Sequence, residues 1–246
     1  MLTNITNNHI SVDCVIFGYD SGTLNVLLVE RILKELNSEK EVFSDLTLAG
    51  NHIYEHETLD EAAQRILFDL TGLKSIYLEQ FKSFAGTQRL SRSNDQRWLR
   101  SHGRDPDRQI ITVGYYSLLP SHDIRLEWKG RNVRWYPVSE VKELAFDHLE
   151  ILQEALKALR QKLIHEPIGF ELLPPKFTLT GLQQVYETIL GTTLDKRNFR
   201  KKIAKMKYLI PLDEKQMGVA HKPAQLYCFD RAIYEQTKRE FFDFNI

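Results

Sequence analysis

Three prolines, Pro167, Pro174 and Pro175, stand within nine residues and divide the chain. Proline fixes φ and lacks an N–H, so neither a helix interior nor a central strand tolerates such a segment. This predicts two domains, residues 1–166 and 167–246. The charges divide at the same place. The second stretch holds 13 Lys and Arg against 9 Asp and Glu, a net of +4, and the first holds 20 against 24, a net of −4. Between residues 176 and 222 the excess reaches +6. A neutral total thus conceals a basic segment joined to an acidic body, the pattern expected where only one part meets a polyanion.

Composition excludes several classes. With 42% hydrophobic and 27% charged residues the chain has apolar material enough for ordinary cores. No run approaches the roughly 18 apolar residues of a membrane span. The opening MLTNITNNHI lacks the basic and apolar regions of a signal peptide. The expectation is a cytoplasmic protein with no membrane partner, in which Cys14 and Cys228 remain free thiols.

Before the prolines, strands dominate. Ser11–Phe17 and Leu24–Val29 flank a hairpin turn at Tyr19–Gly22, residues 34–44 read as loop, and Leu46–Gly50 reads as a short strand before a polar loop, Asn51–Glu57. Thr58 with Glu61 forms a capping box, and Gly72 supplies the stop of an amphipathic helix. Strands at Ile110–Leu119 and Arg131–Val138 follow, then a helix opened by Asp147 and Glu150 that runs to about Leu163. The segment Gln88–Gly103, with Arg89, Arg92, Arg97, Arg100 and Trp98, reads as an exposed loop. After the prolines the pattern becomes helix, helix, hairpin, helix. Thr180 with Gln183 caps the first helix, which ends at Gly191, and Asp195 caps the second, which runs to about Lys207. Strands at Tyr208–Leu212 and Gln225–Phe229 and a terminal helix from Asp230 complete it.

Two constellations carry chemistry. The stretch Gly50–Leu73 resembles the signature of the Nudix family of nucleoside-diphosphate hydrolases. Glu57, Arg65, Leu67, Gly72 and Leu73 fall in register, but Asn51 replaces a glycine, Ile66 a glutamate, and Asp69-Leu70 a pair of glutamates. Positions 66 and 70 share one helix face, where carboxylates would hold Mg²⁺, a cation that demands oxygen ligands. Ile and Leu offer none. The expectation is a protein with no catalytic residues, no metal and no cofactor.

The second constellation is Asp195–Lys207. Phe199, Ile203 and Met206 form a narrow apolar stripe, while Lys196, Arg197, Arg200, Lys201, Lys202, Lys205 and Lys207 occupy much of the rest. A solvated helix usually mixes both signs; this one does not. The gap from Gly191 to Asp195 has the length of a helix-turn-helix connection. Lys196, Arg197, Asn198 and Arg200 stand at the N-terminal end, which in a recognition helix reaches base edges. Lys201, Lys202 and Lys205 suit phosphates, and His221, Lys222 and Pro223 fall near a wing tip.

Together these parts resemble the Nudix-related transcriptional regulators. Further motifs that carry the resemblance are Gly103-Arg104-Asp105-Pro106 before Ile110–Tyr116, Phe146-Asp147-His148, Leu173–Thr180 and Leu194–Phe199. The resemblance implies an α+β protein: a Nudix-like α/β/α sandwich with a mixed sheet, then a winged helix-turn-helix domain. It also implies a bacterial homodimer that binds a palindromic operator in double-stranded DNA through Lys176, Thr178, Thr180, Lys196, Arg197, Asn198, Arg200, Lys201, Lys202 and Lys222. Its sensor domain would bind a small effector, either ADP-ribose or a pentose.

Without the glutamate pair, a neutral sugar needs only polar groups and an aromatic wall. The resemblance, more than this chemistry, makes a pentose, L-arabinose first, the preferred effector of a repressor or activator of sugar-utilisation genes. Candidate contacts are Arg31, Asn51, His52, Tyr54, Glu57, Arg65, Asp69, Arg104, Tyr115 and Tyr116. The alternatives are an ADP-ribose-responsive regulator of NAD metabolism, in which arginines including Arg31, Arg65, Arg104 and those of the insert meet phosphate directly, and a divergent Mg²⁺-dependent Nudix hydrolase. A scaffold whose basic helix docks an acidic protein is a third. His148 reads as a general base or, more often for such a residue, as part of local capping or a domain contact.

Overall fold

A computed structural model describes residues 5–34, 41–72, 74, 76–86, 89–120, 132–218 and 222–237. Leu73, Gln88 and His221, all singled out above, lie outside them. The chain forms two compact units, residues 1–18 with 25–157, and residues 19–24 with 158–246.

The first unit is built on one seven-stranded sheet. β1 (Thr6–Asp20), β2 (Thr23–Lys34), β3 (Glu41–Thr47), β4 (Ala49–Tyr54), β5 (Tyr77–Phe84), β6 (Ile111–Pro120) and β7 (Val133–Pro137) lie in the order β3-β2-β1-β6-β5, with β4 on β1 and β7 on β2. β1 is buried on both faces from Ser11 to Tyr19, which explains its near-continuous apolar run. Asp13 is the one charged residue in that run. Residues 51–54, expected as loop, extend β4, because Asn51 pairs with Val12 and His52 with Ser11 across the ladder.

Helix α1 (Leu59–Thr71) forms where the capping box placed it. Thr58 Oγ1 accepts the Glu61 N–H at 3.3 Å, and Glu61 Oε2 accepts the Thr58 N–H at 2.9 Å. Gly72 ends the helix at φ 67°, a left-handed conformation that glycine adopts without a Cβ clash. Ala62, Ala63, Ile66, Leu67 and Leu70 join Val12, Ile16 and Ile53 in the core. The segment read as an exposed loop contains a second helix, α2 (Ser93–Ser101), with Asp95 and Leu99 buried. Helix α3 (His148–His165) follows directly on Asp147, whose carbonyl accepts the Ile151 N–H at 3.1 Å and whose carboxylate is bound by Arg89.

The second unit holds α4 (Leu179–Leu190), α5 (Lys196–Ile203), the antiparallel hairpin of β8 (Leu209–Lys215) and β9 (Gln225–Phe229), and α6 (Arg231–Thr237). Thr178 caps α4 by accepting the Gly181 N–H at 3.0 Å, so the cap falls two residues before the expected Thr180. An aromatic core binds the unit. Phe170 stacks on Phe229 with centroids 4.5 Å apart, and Tyr208 meets both Phe229 and Tyr234 edge-on.

Candidate functional site

In the first unit a cavity of about 660 Å³ is lined by strand residues Ser11, Asp13, Gly50, His52 and Thr112, and by Trp98 and His102 from α2 and its end. Helix α2 is held there by a buried ion triad. Arg31, 2% exposed, places Nε and Nη2 at 2.7 and 2.5 Å from the Asp45 carboxylate, and Nη2 also donates to Asp95 Oδ1 at 2.7 Å. Asp95, fully buried, accepts the Phe146 N–H at 3.1 Å on its other oxygen. The Arg31 guanidinium lies over the Phe146 ring, 4.5 Å from its centroid. Arg31 therefore lines the cavity as the bolt of its wall, with Nε and Nη2 directed to Asp45 and Asp95 and Nη1 buried without a hydrogen-bond partner among the described residues.

Other arginines of the insert are similarly engaged. Arg89 binds both oxygens of Asp147 and the carbonyls of Phe84 and Ile110, and Arg92 binds Glu143 and the Leu144 carbonyl. Arg104 differs. It lines the cavity half-buried, and its guanidinium makes no hydrogen bond or ion pair with a described residue. Burial pushes its pKa down from the ordinary value, but a guanidinium stays charged. A desolvated cation without a counter-ion is costly and marks where an anion is welcome.

Of the remaining expected contacts, Asn51 and His52 line the same cavity. His52 Nδ1 sits 3.0 and 3.2 Å from the Asn7 and Ile10 carbonyls, so Nδ1 carries the proton. Tyr54, Glu57, Arg65, Asp69, Tyr115 and Tyr116 are absent from the lining. Arg65 is paired with Glu57 at 2.6 Å and covers the Tyr54 ring at 4.4 Å. Burial raises the Glu57 pKa, and the Arg65 and Tyr54 N–H bonds outweigh it and hold the carboxyl below its usual range. The Tyr115 hydroxyl donates to Asp60 at 2.6 Å, and burial together with that carboxylate pushes its pKa up.

The Nudix-box residues do not fit a divalent cation. Ile66 is 5% exposed and Leu70 fully buried in the core, Glu57 is bound by Arg65, and Asp69 is exposed at the surface. Among the described residues no three His, Cys, Asp or Glu side chains gather. Sequence reasoning missed Asp13, Trp98, His102 and Arg108 as cavity residues. The available signal was Asp13, a lone charge in the most apolar strand.

In the second unit, α5 presents Lys196, Arg197, Asn198, Arg200 and Lys201 to solvent while Phe199 and Ile203 are buried. Lys202 is half-buried. Asp195 caps α5 by accepting the Asn198 N–H at 2.7 Å. The turn before it is braced by Glu187, whose Oε1 accepts the Leu194 N–H and the Gln183 amide, both at 2.9 Å. Thr180 and Lys222 are exposed; Thr178 is the α4 cap. Lys176 is exposed but places Nζ 2.7 Å from both oxygens of Glu214, so it is not a free cation.

Residues 7–155 match the model of the NUDIX domain, and residues 169–229 match that of the NrtR DNA-binding winged helix domain. The chain is 30% identical over 228 residues to the ADPR-responsive transcriptional repressor NtrR of Acinetobacter baylyi, covering 92% of this chain and 83% of that protein. The chain belongs to the NrtR-type, Nudix-related transcriptional regulators.

Solved relatives agree. Shewanella oneidensis NrtR in complex with a 27mer DNA superposes with a TM-score of 0.74 at 27% identity, covering 92% of this chain and 95% of that one. The same protein without DNA gives 0.67, over 90% and 94%. The chain is thus a DNA-binding transcriptional regulator in which a Nudix sensor domain precedes a winged helix domain. The Acinetobacter relative is named for its response to ADPR, not to a pentose.

Proposed function

We propose that this protein is a repressor that releases its operator when ADP-ribose enters the cavity of residues 1–166, with residues 167–246 reading DNA as a homodimer. The observation that carries the effector reading is Arg104, a desolvated cation in the cavity wall with no carboxylate partner among the described residues. A neutral pentose would leave that charge unmatched; a diphosphate matches it with charge-assisted hydrogen bonds. The named response of the Acinetobacter relative supports the same choice. The protein is read as having no hydrolase activity, because Ile66 and Leu70 take the place of metal-binding carboxylates in a packed core.

Arg104→Gln is expected to weaken ADP-ribose binding by about tenfold to a hundredfold, since a hydrogen bond to a charged group contributes roughly 1.5–3 kcal/mol. Titration calorimetry with ADP-ribose and L-arabinose checks this. Binding of arabinose, or of ADP-ribose with equal strength by the variant, counts against the reading. A gel shift with added ADP-ribose tests release.

For DNA, the exposed end of α5 supports base contacts by Arg197 and phosphate contacts by Lys201. Arg197→Ala is expected to cost about 1–3 kcal/mol of affinity for a duplex selected from a random pool, and Lys201→Ala to reduce the salt slope by about one. Fluorescence anisotropy over a KCl series measures both. Unchanged affinity and slope in both variants would point to an acidic protein partner instead.

A further inference from the structure

We propose that Asp13 determines specificity in the cavity by accepting hydrogen bonds from sugar hydroxyls, so that the ribose of a diphosphate sugar, rather than its adenosine diphosphate part, is read there. The proposal rests on the effector reading above and assigns one end of the ligand.

Asp13 lines the cavity from the middle of β1, and its side chain is 8% exposed. Its one side-chain partner among the described residues is His148 Nε2, 3.4 Å from Oδ2. The tautomer of that imidazole is fixed from behind. His148 Nδ1 accepts the Leu48 N–H at 3.0 Å and lies 2.7 Å from Thr47 Oγ1, so Nε2 carries the proton and faces the carboxylate. One long contact leaves most of the acceptor capacity of a carboxylate unused. A nearly buried carboxylate so poorly matched is destabilising, and such violations of local consistency concentrate at functional sites.

A second observation is independent of the first. Gly50 faces Asp13 across the β1–β4 ladder, and a Cβ at position 50 would come 1.7 Å from Asp13 Oδ1. Any larger residue would displace the carboxylate from its seat. The strand therefore carries a glycine in its interior, where glycine is unfavourable, and the vacated space is taken by a charge.

A carboxylate repels phosphate and accepts from hydroxyls, whereas Arg104 does the opposite. The two sort a diphosphate sugar by its ends: the anion goes to the arginine, and the hydroxyl-bearing ring goes to Asp13. The hydroxyl pair Ser11 and Thr112, 2.6 Å apart in the same lining, extends the polar surface beside Asp13. An exocyclic amine of a base is the competing donor for Asp13, and it is present in ADP as well as in ADP-ribose.

The test is titration calorimetry of the full-length protein with ADP-ribose and with ADP, for the wild type, Asp13→Asn and His148→Gln. Asparagine keeps the shape and replaces an acceptor with a donor. The expected result is a loss of at least tenfold in ADP-ribose affinity for Asp13→Asn with ADP affinity unchanged, and a smaller loss of the same kind for His148→Gln. Retained ADP binding shows that the variants are folded. Equal losses for both ligands assign Asp13 to the adenosine half and overturn the proposal, as does an unchanged ADP-ribose affinity; in both cases the effector reading survives. A wild type that binds neither ligand removes both.

Discussion

Asp95→Ala is expected to lower the unfolding free energy by about 3–5 kcal/mol, the usual cost of removing one partner from a buried ion pair. Asp95 is fully buried and holds Arg31, itself 2% exposed, together with the Phe146 N–H. Its removal leaves part of a guanidinium and a backbone donor unmatched in a place that water does not reach. At roughly 2–4 °C per kcal/mol for a domain of this size, the first unfolding transition should fall by about 10 °C. Differential scanning calorimetry reads it directly. Asp95→Asn, which preserves one acceptor, should fall less. A change below about 2 °C for Asp95→Ala would mean that α2 is not held by this triad. Because α2 supplies Trp98 to the cavity lining, effector affinity should fall together with stability.

That helix also shows where sequence reading ended. Segment 93–101 has three charged residues and only Trp98 and Leu99 as apolar anchors, so no helical periodicity stands out. What makes it helical is a tertiary bond from Arg31, distant in sequence. β5 escaped notice for a different reason: its register against β6 shifts between Gln80 and Lys82, which breaks the alternation that identifies a strand. Thr178 and Thr180 both stand at the start of α4 and only Thr180 has a Gln three residues on, so spacing alone points to the wrong threonine as the cap. In the folded chain Gln183 turns instead to Glu187 and the Leu194 carbonyl. By contrast α1 and the start of α5 carry their own caps, and both form where local rules placed them. The cavity was only partly legible. Asn51, His52 and Arg104 were marked by motif, but Tyr54, Glu57 and Arg65 fall into a separate pairing. Strand register decides such groupings, and no sequence spacing records it.

Restoring the family's carboxylates by Ile66→Glu with Leu70→Glu is expected to abolish folding of the first unit rather than create a hydrolase. Both side chains sit in the core with Val12, Ile16 and Ile53. Losing each apolar side chain costs about 2–5 kcal/mol by comparison with truncation. Burying an unpaired carboxylate adds several more per charge. The sum reaches the 5–15 kcal/mol that holds a typical domain together. Far-ultraviolet circular dichroism and the soluble yield of the double variant measure the outcome, with Asp69→Asn, an exposed change, expected to behave as wild type. A folded double variant that cleaves ADP-ribose in Mg²⁺ would show that this helix face still opens onto a metal site. The reading of the domain as a sensor would then fall with it. An apolar pair on this face lets α1 pack directly into the core with Val12, Ile16 and Ile53.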